Sequence, residues 1–344
     1  MLTLEQIFSL AVKKNASDVH LVVGEPPILR LDGELHQVKD SSPLTKEDVK
    51  KIVFDILTPE QKERFQNEKE LDTSYQTKDG SRFRINCHFE KDNIGLAARL
   101  IPAQIPAMED LQMPEIIYQL TREKQGLILV TGPTGCGKST SLAAMINLIN
   151  QERSESIITL EDPIEFIYTP AKSIIIQRQL GTDMLSFGEG LKHALRQDPN
   201  IILVGEMRDL DTIATTITLA ETGHLVFATL HTHNASQTID RIIDVFPPHQ
   251  QDQVRLQLSL SLKAVIAQHL VPREGGGRIA TREILINNPA IANLIKENKV
   301  GQIKSVLQTS AAEGMLTRDQ YLKQLLQEKL ISKETYKIYL EDGE

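Results

Sequence analysis

Two different rhythms of apolar and polar positions divide this chain. In its first 100 residues, short segments such as Arg82–Phe89 alternate polar and apolar side chains, which is typical of half-exposed strands. Further along, near-continuous apolar runs lie between stretches of helical spacing, which is typical of buried parallel strands. We therefore predict an α/β chain, with an antiparallel α+β unit over residues 1–100 and a mainly parallel sheet with helices on both sides over residues 114–344. The apolar runs are Leu127–Val130, Ile157–Leu160, Ile201–Val204 and Leu225–Ala228.

The segment between the two patterns is predicted to be a linker. Ile101–Pro106 contains two prolines, which bias the preceding residues away from helix, and we place the linker over residues 101–113. After Pro289, apolar positions return at helical spacing to the end of the chain. The second unit is therefore expected to end in helices.

A glycine-rich motif follows the first apolar run of the second unit. It fits G-x-x-x-x-G-K-[ST], lies after a predicted strand and precedes a helical pattern, which is the context of a phosphate-binding loop. Backbone N–H groups of such a loop surround phosphate oxygens, the helix N-terminus adds its positive end, and Lys138 adds a mobile charge. We predict that ATP binds here, with Ser139 as the Mg²⁺ ligand. The predicted nucleotide-binding residues are Gly132, Pro133, Thr134, Gly135, Cys136, Gly137, Lys138, Ser139 and Thr140.

Cys136 occupies a variable position of this loop. Because it lies close to a helix N-terminus, we hypothesise that the helix lowers the pKa of its thiol. A lowered pKa would make the loop sensitive to oxidation.

Carboxylates follow two of the apolar runs. Glu206 comes shortly after Ile201–Val204, and Glu161 comes directly after Leu160. Open α/β sheets bind ligands at the carboxyl ends of their strands, and nucleotide hydrolysis needs a carboxylate that orients water. Glu206 and Glu161 therefore compete for the water-activating role. The alternative for the acidic segment around Glu161 is a solvated turn.

Three histidines, His224, His231 and His233, flank the run Leu225–Ala228. Their density invites a metal-site interpretation, but no matching cysteine or acidic cluster surrounds them. We favour His231 as a residue that senses the γ-phosphate or a subunit contact.

Arginines form a further candidate group in the first unit. Arg82 and Arg84 alternate with apolar residues, so both leave one face of a strand, and Arg99 lies on the next strand. An exposed cationic sheet face is one interpretation. The sharper hypothesis is that these arginines reach the nucleotide of a neighbouring subunit.

Composition narrows the class of protein. The formal net charge of −8, 4% aromatic residues and the absence of tryptophan argue against a general nucleic-acid binder. The apolar runs are far shorter than the roughly 18 residues that a membrane span needs. The N-terminus lacks a basic segment followed by an apolar core, so we expect a cytoplasmic protein. Two cysteines, Cys87 and Cys136, cannot build a disulfide framework.

Taken together, the motifs resemble those of the secretion ATPase superfamily, and specifically the PilT-type ATPases that retract type IV pili in twitching motility. Gly132–Ser139 matches the Walker A motif of that family, Ile158–Glu165 its Asp box, Ile201–Asp209 its Walker B motif and Gly223–His233 its His box. The resemblance implies a PAS-like N-terminal domain and a RecA-like ATPase domain. It also implies a homo-hexamer in which Arg82, Arg84 and Arg99 face the nucleotide of the adjacent subunit.

The same resemblance implies a location and partners. Family members work in the cytoplasm at the inner-membrane base of the pilus machine, attached to the membrane only through an inner-membrane platform protein. Ala290–Glu297 resembles the retraction signature AIRNLIRE, with Ala292 and Lys296 in place of its two arginines. We therefore expect a hexameric, Mg²⁺-dependent ATPase motor for pilus retraction. The alternatives are an accessory retraction paralogue, a non-hydrolysing regulatory scaffold and, less favoured, a nucleic-acid translocase.

Overall fold

The computed structural model describes residues 2–31, 33–39, 41–101 and 104–341, with only the backbone of residue 341. The chain divides into two compact units, Met1–Gln104 with Glu165–Ile167, and Ile105–Ile164 with Tyr168–Glu344. Two residues of the predicted linker, Pro102 and Ala103, lie outside the described residues.

The first unit contains a six-stranded antiparallel sheet and three helices. Each helix begins with a capping box, in which the threonine side chain and the residue three positions later bond each other's backbone N–H groups. The strand order is β3-β2-β1-β6-β5-β4. The elements are α1 (Leu4–Lys13), β1 (Asp18–Leu21), β2 (Ile28–Leu31), β3 (Glu34–Gln37), α2 (Lys46–Ile56), α3 (Pro59–Glu68), β4 (Glu70–Gln76), β5 (Arg82–Glu90) and β6 (Asn93–Ile101).

The predicted alternation along β5 is present. Phe83, Ile85 and Cys87 are fully buried, while the alternating Arg82 and Arg84 are only partly buried. Phe8 of α1 stacks on Phe83 with ring centroids 3.9 Å apart. Burial of each such aromatic ring contributes about 1.5–3 kcal/mol, so this face of the sheet anchors the first unit.

The second unit contains a seven-stranded sheet whose strands are parallel except for the edge strand β13. Short 3-10 segments occur at Leu195–Gln197, Val300–Gln302 and Ala311–Glu313. The strand order is β13-β12-β7-β11-β10-β8-β9. The elements are α4 (Glu115–Thr121), β7 (Gly126–Thr131), α5 (Lys138–Glu152), β8 (Ser156–Glu161), β9 (Ile174–Gln179), α6 (Phe187–Ala194), β10 (Ile201–Val204), α7 (Leu210–Glu221), β11 (Leu225–Leu230), α8 (Ala235–Asp244), α9 (Pro248–Ser261), β12 (Leu262–Pro272), β13 (Arg278–Ile286), α10 (Pro289–Lys296), α11 (Ile303–Thr309), α12 (Arg318–Gln327) and α13 (Lys333–Glu341).

The predicted fold class is confirmed by this arrangement. All four predicted apolar runs are buried strands, namely β7, β8, β10 and β11, and they adjoin one another in the sheet. The C-terminal end is helical, as expected. Since parallel strands end at a common edge, the segments that follow these four strands meet there.

Candidate nucleotide site

The phosphate loop connects β7 to α5 and approaches strand β12 closely. Gly132 has φ +139°, and a Cβ atom added there would lie 2.1 Å from the carbonyl oxygen of Gln268. Gly137 has φ +86° and forms the N-cap of α5. A side chain at Gly132 would clash with the backbone of β12, and the left-handed conformation at Gly137 disfavours residues other than glycine. Both positions therefore require glycine.

Lys138 holds its ammonium group within this loop. The side chain is 9% exposed, and Nζ donates hydrogen bonds to the carbonyl oxygens of Gly132 at 2.7 Å and Pro133 at 3.1 Å. Ser139 and Thr140 follow in the first turn of α5 and are partly buried. The loop therefore combines a fixed cation with the positive end of a 15-residue helix.

A polar network joins this loop to the end of β10. Nε2 of His231 lies 3.3 Å from a carboxylate oxygen of Glu206, and Nδ1 lies 3.5 Å from both Lys138 Nζ and Thr134 Oγ1. Lysine can only donate and carboxylate can only accept, so these partners select the His231 tautomer with the proton on Nε2. His231 thus bridges the phosphate-loop lysine and the predicted water-activating carboxylate.

Glu206 is also paired with Arg208, which sequence reasoning did not single out. Nη2 of Arg208 lies 2.8 Å from Glu206, and its Nη1 lies 3.6 Å from the carboxylate of Asp162. Partial burial alone would raise the pKa of Glu206, but the hydrogen bond and charge of Arg208, assisted by His231, outweigh burial and lower that pKa. Glu206 is consequently ionised at neutral pH.

Glu161 ends the strand next to β10. Val204 of β10 pairs with Leu160 of β8, so the two carboxylates follow neighbouring strands. A carboxylate oxygen of Glu161 accepts hydrogen bonds from Thr159 at 2.6 Å and from Gln177 at 3.3 Å. Both candidate carboxylates therefore lie at the carboxyl edge of the sheet.

The three predicted histidines occupy different places. His224 precedes β11, and its Nδ1 lies 3.0 Å from the carbonyl oxygen of Leu219. The ring of His233 stacks on that of His269, with centroids 5.8 Å apart. Of the three, His231 is the residue that the structure brings to the loop and to Glu206.

The three predicted arginines lie in the first unit. Arg84 and Arg99 are directly opposite each other across β5 and β6, and Arg99 pairs with Asp18 at 2.8 Å. Arg82 donates to the hydroxyl of Ser74 at 3.3 Å. The side chain of Arg99 is 72% exposed. Like charges directly opposite one another are unfavourable in a sheet, and the carboxylate of Asp18 offsets part of this repulsion.

The hypothesis of an activated thiol at Cys136 is wrong. Cys136 is 3% exposed, and its burial raises the pKa of the thiol despite the nearby charge of Lys138. Desolvation of the thiolate outweighs the helix N-terminus at this position. The backbone carbonyl of Cys136 accepts a hydrogen bond from Gln268 at 2.6 Å.

The fold and this loop define a P-loop nucleotide-binding protein. The chain matches the family model described as "type II/IV secretion system protein" over residues 1–335, and it belongs to that family. It is 46% identical over 329 residues to the type IV pilus retraction ATPase PilT of Pseudomonas aeruginosa, covering 96% of this chain and 95% of the relative. It is also 46% identical over 309 residues to a twitching motility protein of Neisseria gonorrhoeae, covering 90% and 82%.

A solved structure agrees with these relatives. The crystal structure of the pilus retraction motor PilT with bound ADP superposes with a TM-score of 0.91 at 44% identity, covering 98% of this chain and 96% of the other. The resemblance recognised in the motifs is therefore confirmed. Within the described part of the chain, no helix combines the length and apolarity required to cross a bilayer.

Proposed function

We propose that this chain is the subunit of an ATP-hydrolysing motor that retracts type IV pili. The observation that carries the proposal is the bonded line from Lys138 through His231 to Glu206, which joins the phosphate loop to an ionised carboxylate. The similarity to a retraction ATPase over nearly the whole length of both chains supports the pilus as the object of the motor.

The loop and its neighbours divide the chemistry among them. Loop amides and Lys138 hold the phosphates and neutralise charge that develops during transfer. Glu206 aligns the attacking water. His231 lies between Lys138 and Glu206, so its contacts differ before and after the γ-phosphate leaves.

Mg²⁺ fits the donor set at this site. Mg²⁺ prefers oxygen ligands and in nucleotide sites takes only one or two from the protein, with the rest from phosphates and water. The hydroxyl of Ser139, in the first turn of α5 next to Lys138, would be that protein ligand. When bound, the ion neutralises phosphate charge.

We further propose a homo-hexamer in which arginines of one subunit complete the site of the next. Arg84 and Arg99 are adjacent on one sheet face, with Asp18 beside Arg99. An anion supplied by a neighbouring nucleotide would relieve their repulsion. In this proposal the ring works in the cytoplasm at the inner-membrane base of the pilus, through a platform protein and without direct nucleic-acid contact.

Subunit mixing tests this scheme. Mg²⁺-dependent ATP hydrolysis is measured against protein concentration for wild type, Glu206→Gln and Arg84→Ala, with light scattering on the same samples. Each variant alone is expected to lose most turnover, and their mixture is expected to regain activity, because some interfaces combine an intact Glu206 with an intact Arg84. Arg64→Ala is the matched control, since Arg64 pairs with Glu68 on an exposed helix of the same unit.

The outcomes separate the alternatives. Failure of the mixture to regain activity would refute completion of the site between subunits. Tight ATP binding by wild-type rings without turnover would instead favour the regulatory scaffold. In cells that lack their retraction ATPase, wild type but not Glu206→Gln is expected to restore twitching; a chain that restores it only beside a second motor would be the accessory paralogue.

A further inference from the structure

A line of buried polar side chains begins at the back of the phosphate loop. Gln268 lies in β12 and is 1% exposed. Its Nε2 donates to the carbonyl oxygen of Cys136 at 2.6 Å, and its Oε1 accepts from Ser141 Oγ at 2.8 Å and from Arg282 Nε at 3.2 Å. The backbone of Gln268 also adjoins Gly132. Gln268 therefore contacts the loop near both of its ends.

Arg282 extends this line away from the loop. It lies directly opposite Gln268 in the β12–β13 pair and is 1% exposed. Nη1 donates to the hydroxyl of Tyr321 at 2.9 Å and to the carbonyl oxygen of Gln112 at 3.4 Å, and Nη2 donates to that of Leu111 at 3.2 Å. The Tyr321 hydroxyl also donates to Gln112, at 3.0 Å. One guanidinium thus joins β12, α12 and the chain around Leu111.

The groups that accept these bonds from Arg282 are neutral: a carboxamide, a hydroxyl and two backbone carbonyls. Burying a charge costs several kcal/mol when good partners do not compensate it, so this arrangement is a weak source of stability. A guanidinium does, however, present N–H groups in a fixed plane. That geometry suits a residue that holds separate segments in register.

The segment that Arg282 reaches is the start of the second unit. Leu111 and Gln112 lie between Gln104, the last residue of the first unit before the boundary, and helix α4. Gln112 has φ +48°, a left-handed conformation that persists in a non-glycine residue only when its surroundings hold it. Its carbonyl is the one that Arg282 and Tyr321 both bind.

We propose that Gln268 and Arg282 are positioning residues that couple nucleotide in the phosphate loop to the segment Ile105–Met113, with Tyr321 as their anchor. When bound nucleotide orders the loop, it fixes the position of the Cys136 carbonyl. The hydrogen bonds of Gln268 and Arg282 then transmit that restraint to Gln112. By linkage, the same contacts strengthen nucleotide binding. The inference rests on the proposed function only in that the loop binds nucleotide.

A double-mutant cycle on nucleotide affinity tests the coupling. The dissociation constant of a fluorescent ADP analogue is measured for wild type, Tyr321→Phe, Gln268→Leu and the double variant. Tyr321 has no bond to the loop, yet Tyr321→Phe is expected to weaken binding about three- to tenfold, within the range of measured long-range effects. In the Gln268→Leu background the same change is expected to have no further effect. Tyr339→Phe is the control, because it removes the hydroxyl of another tyrosine that packs against the same hydrophobic cluster as Tyr321.

Hydrogen exchange of the full chain adds a second readout. In wild type, ADP is expected to slow exchange both in the phosphate loop and in residues 108–113. In Tyr321→Phe, ADP is expected to slow exchange in the loop but no longer in residues 108–113. A lowered melting temperature with an unchanged dissociation constant in Tyr321→Phe would overturn the proposal in favour of a purely structural role. Additive effects of Tyr321→Phe and Gln268→Leu on the dissociation constant would overturn it as well. If Gln268→Leu does not fold, wild type and Tyr321→Phe decide the question by exchange. Neither the dissociation constant nor the exchange rates depend on ATP hydrolysis. A failure of the motor proposal would therefore not affect these results, and the two proposals are tested separately.

Discussion

The hydroxyl of Thr229 supports the backbone that presents Glu206. Thr229 lies in β11, is 5% exposed and donates a hydrogen bond to the carbonyl oxygen of Gly205, while its own carbonyl accepts from the N–H of Met207 at 3.1 Å. Thr229→Val keeps the branched shape but removes the donor. We expect this variant to bind nucleotide normally and to hydrolyse it slowly.

The size of the effect follows from this bond. A buried carbonyl left without its donor costs about 1–3 kcal/mol. In a unit of this size each kcal/mol lowers the melting temperature by about 2–4 °C, so the expected fall is about 2 to 12 °C. If half of this free energy, about 0.5–1.5 kcal/mol, is lost from the transition state because Glu206 is misplaced, kcat falls about two- to twelvefold, since 1.4 kcal/mol corresponds to a factor of ten.

Two substitutions make the measurement decisive. Thr229→Ser keeps the hydroxyl and is expected to retain most of the activity. Thr216→Val removes a fully buried hydroxyl that has no hydrogen-bond partner among the described residues, and should leave both melting temperature and kcat near wild type. Steady-state kinetics and thermal melts are compared for all three. Equal damage from Thr229→Ser and Thr229→Val, or an unchanged kcat in Thr229→Val, would refute the reasoning.

Two further predictions concern pH. Arg208→Gln removes the cation that lowers the pKa of Glu206, so the carboxylate becomes protonated at a higher pH. The acid limb of the pH profile of kcat should therefore shift to higher pH; an unshifted limb would mean that another group controls it. Burial, assisted by Arg318 and His233, lowers the pKa of His269 from 6.5 to about 4. The unfolded chain then binds the proton more readily than the folded chain, so the stability of wild type should fall as pH drops from about 6.5 toward 4. Over the same pH range, the urea midpoint of His269→Gln should fall less than that of wild type. Equal falls in both proteins would contradict this assignment.

The sequence predicted the parts of the site that depend on local patterns. The phosphate loop was recognisable because Gly132 and Lys138 stand at fixed spacing between an apolar run and a helix. Glu206 and Glu161 were recognisable because each follows a buried strand. Such features depend on residues that are close together in the sequence, so they can be recognised without knowledge of the tertiary packing.

Contacts between distant residues could not be predicted in the same way. Gln268 and Arg282 are polar residues within the strands β12 and β13, and neither strand was among the predicted apolar runs. Gln112, which Arg282 contacts, is 170 positions from it in the sequence. The one available signal was the position of Gln268 directly after the apolar run Ala264–Ala267. The hypothesis on Cys136 failed for a related reason, because the burial of its side chain arises from tertiary packing, which the neighbouring residues in the sequence do not reveal.

Strand order favours Glu206 over Glu161 as the residue that aligns water. In the sheet, β11 lies between β7 and β10, and β8 lies beyond β10. Neighbouring strands are about 4.8 Å apart, so the end of β10 lies about 10 Å from that of β7, and the end of β8 about 14 Å. His231 follows the intervening strand β11, which explains why it can contact both Lys138 and Glu206. The phosphate loop, the histidine and Glu206 thus follow three successive strands, and Glu161 lies one strand further from the phosphates.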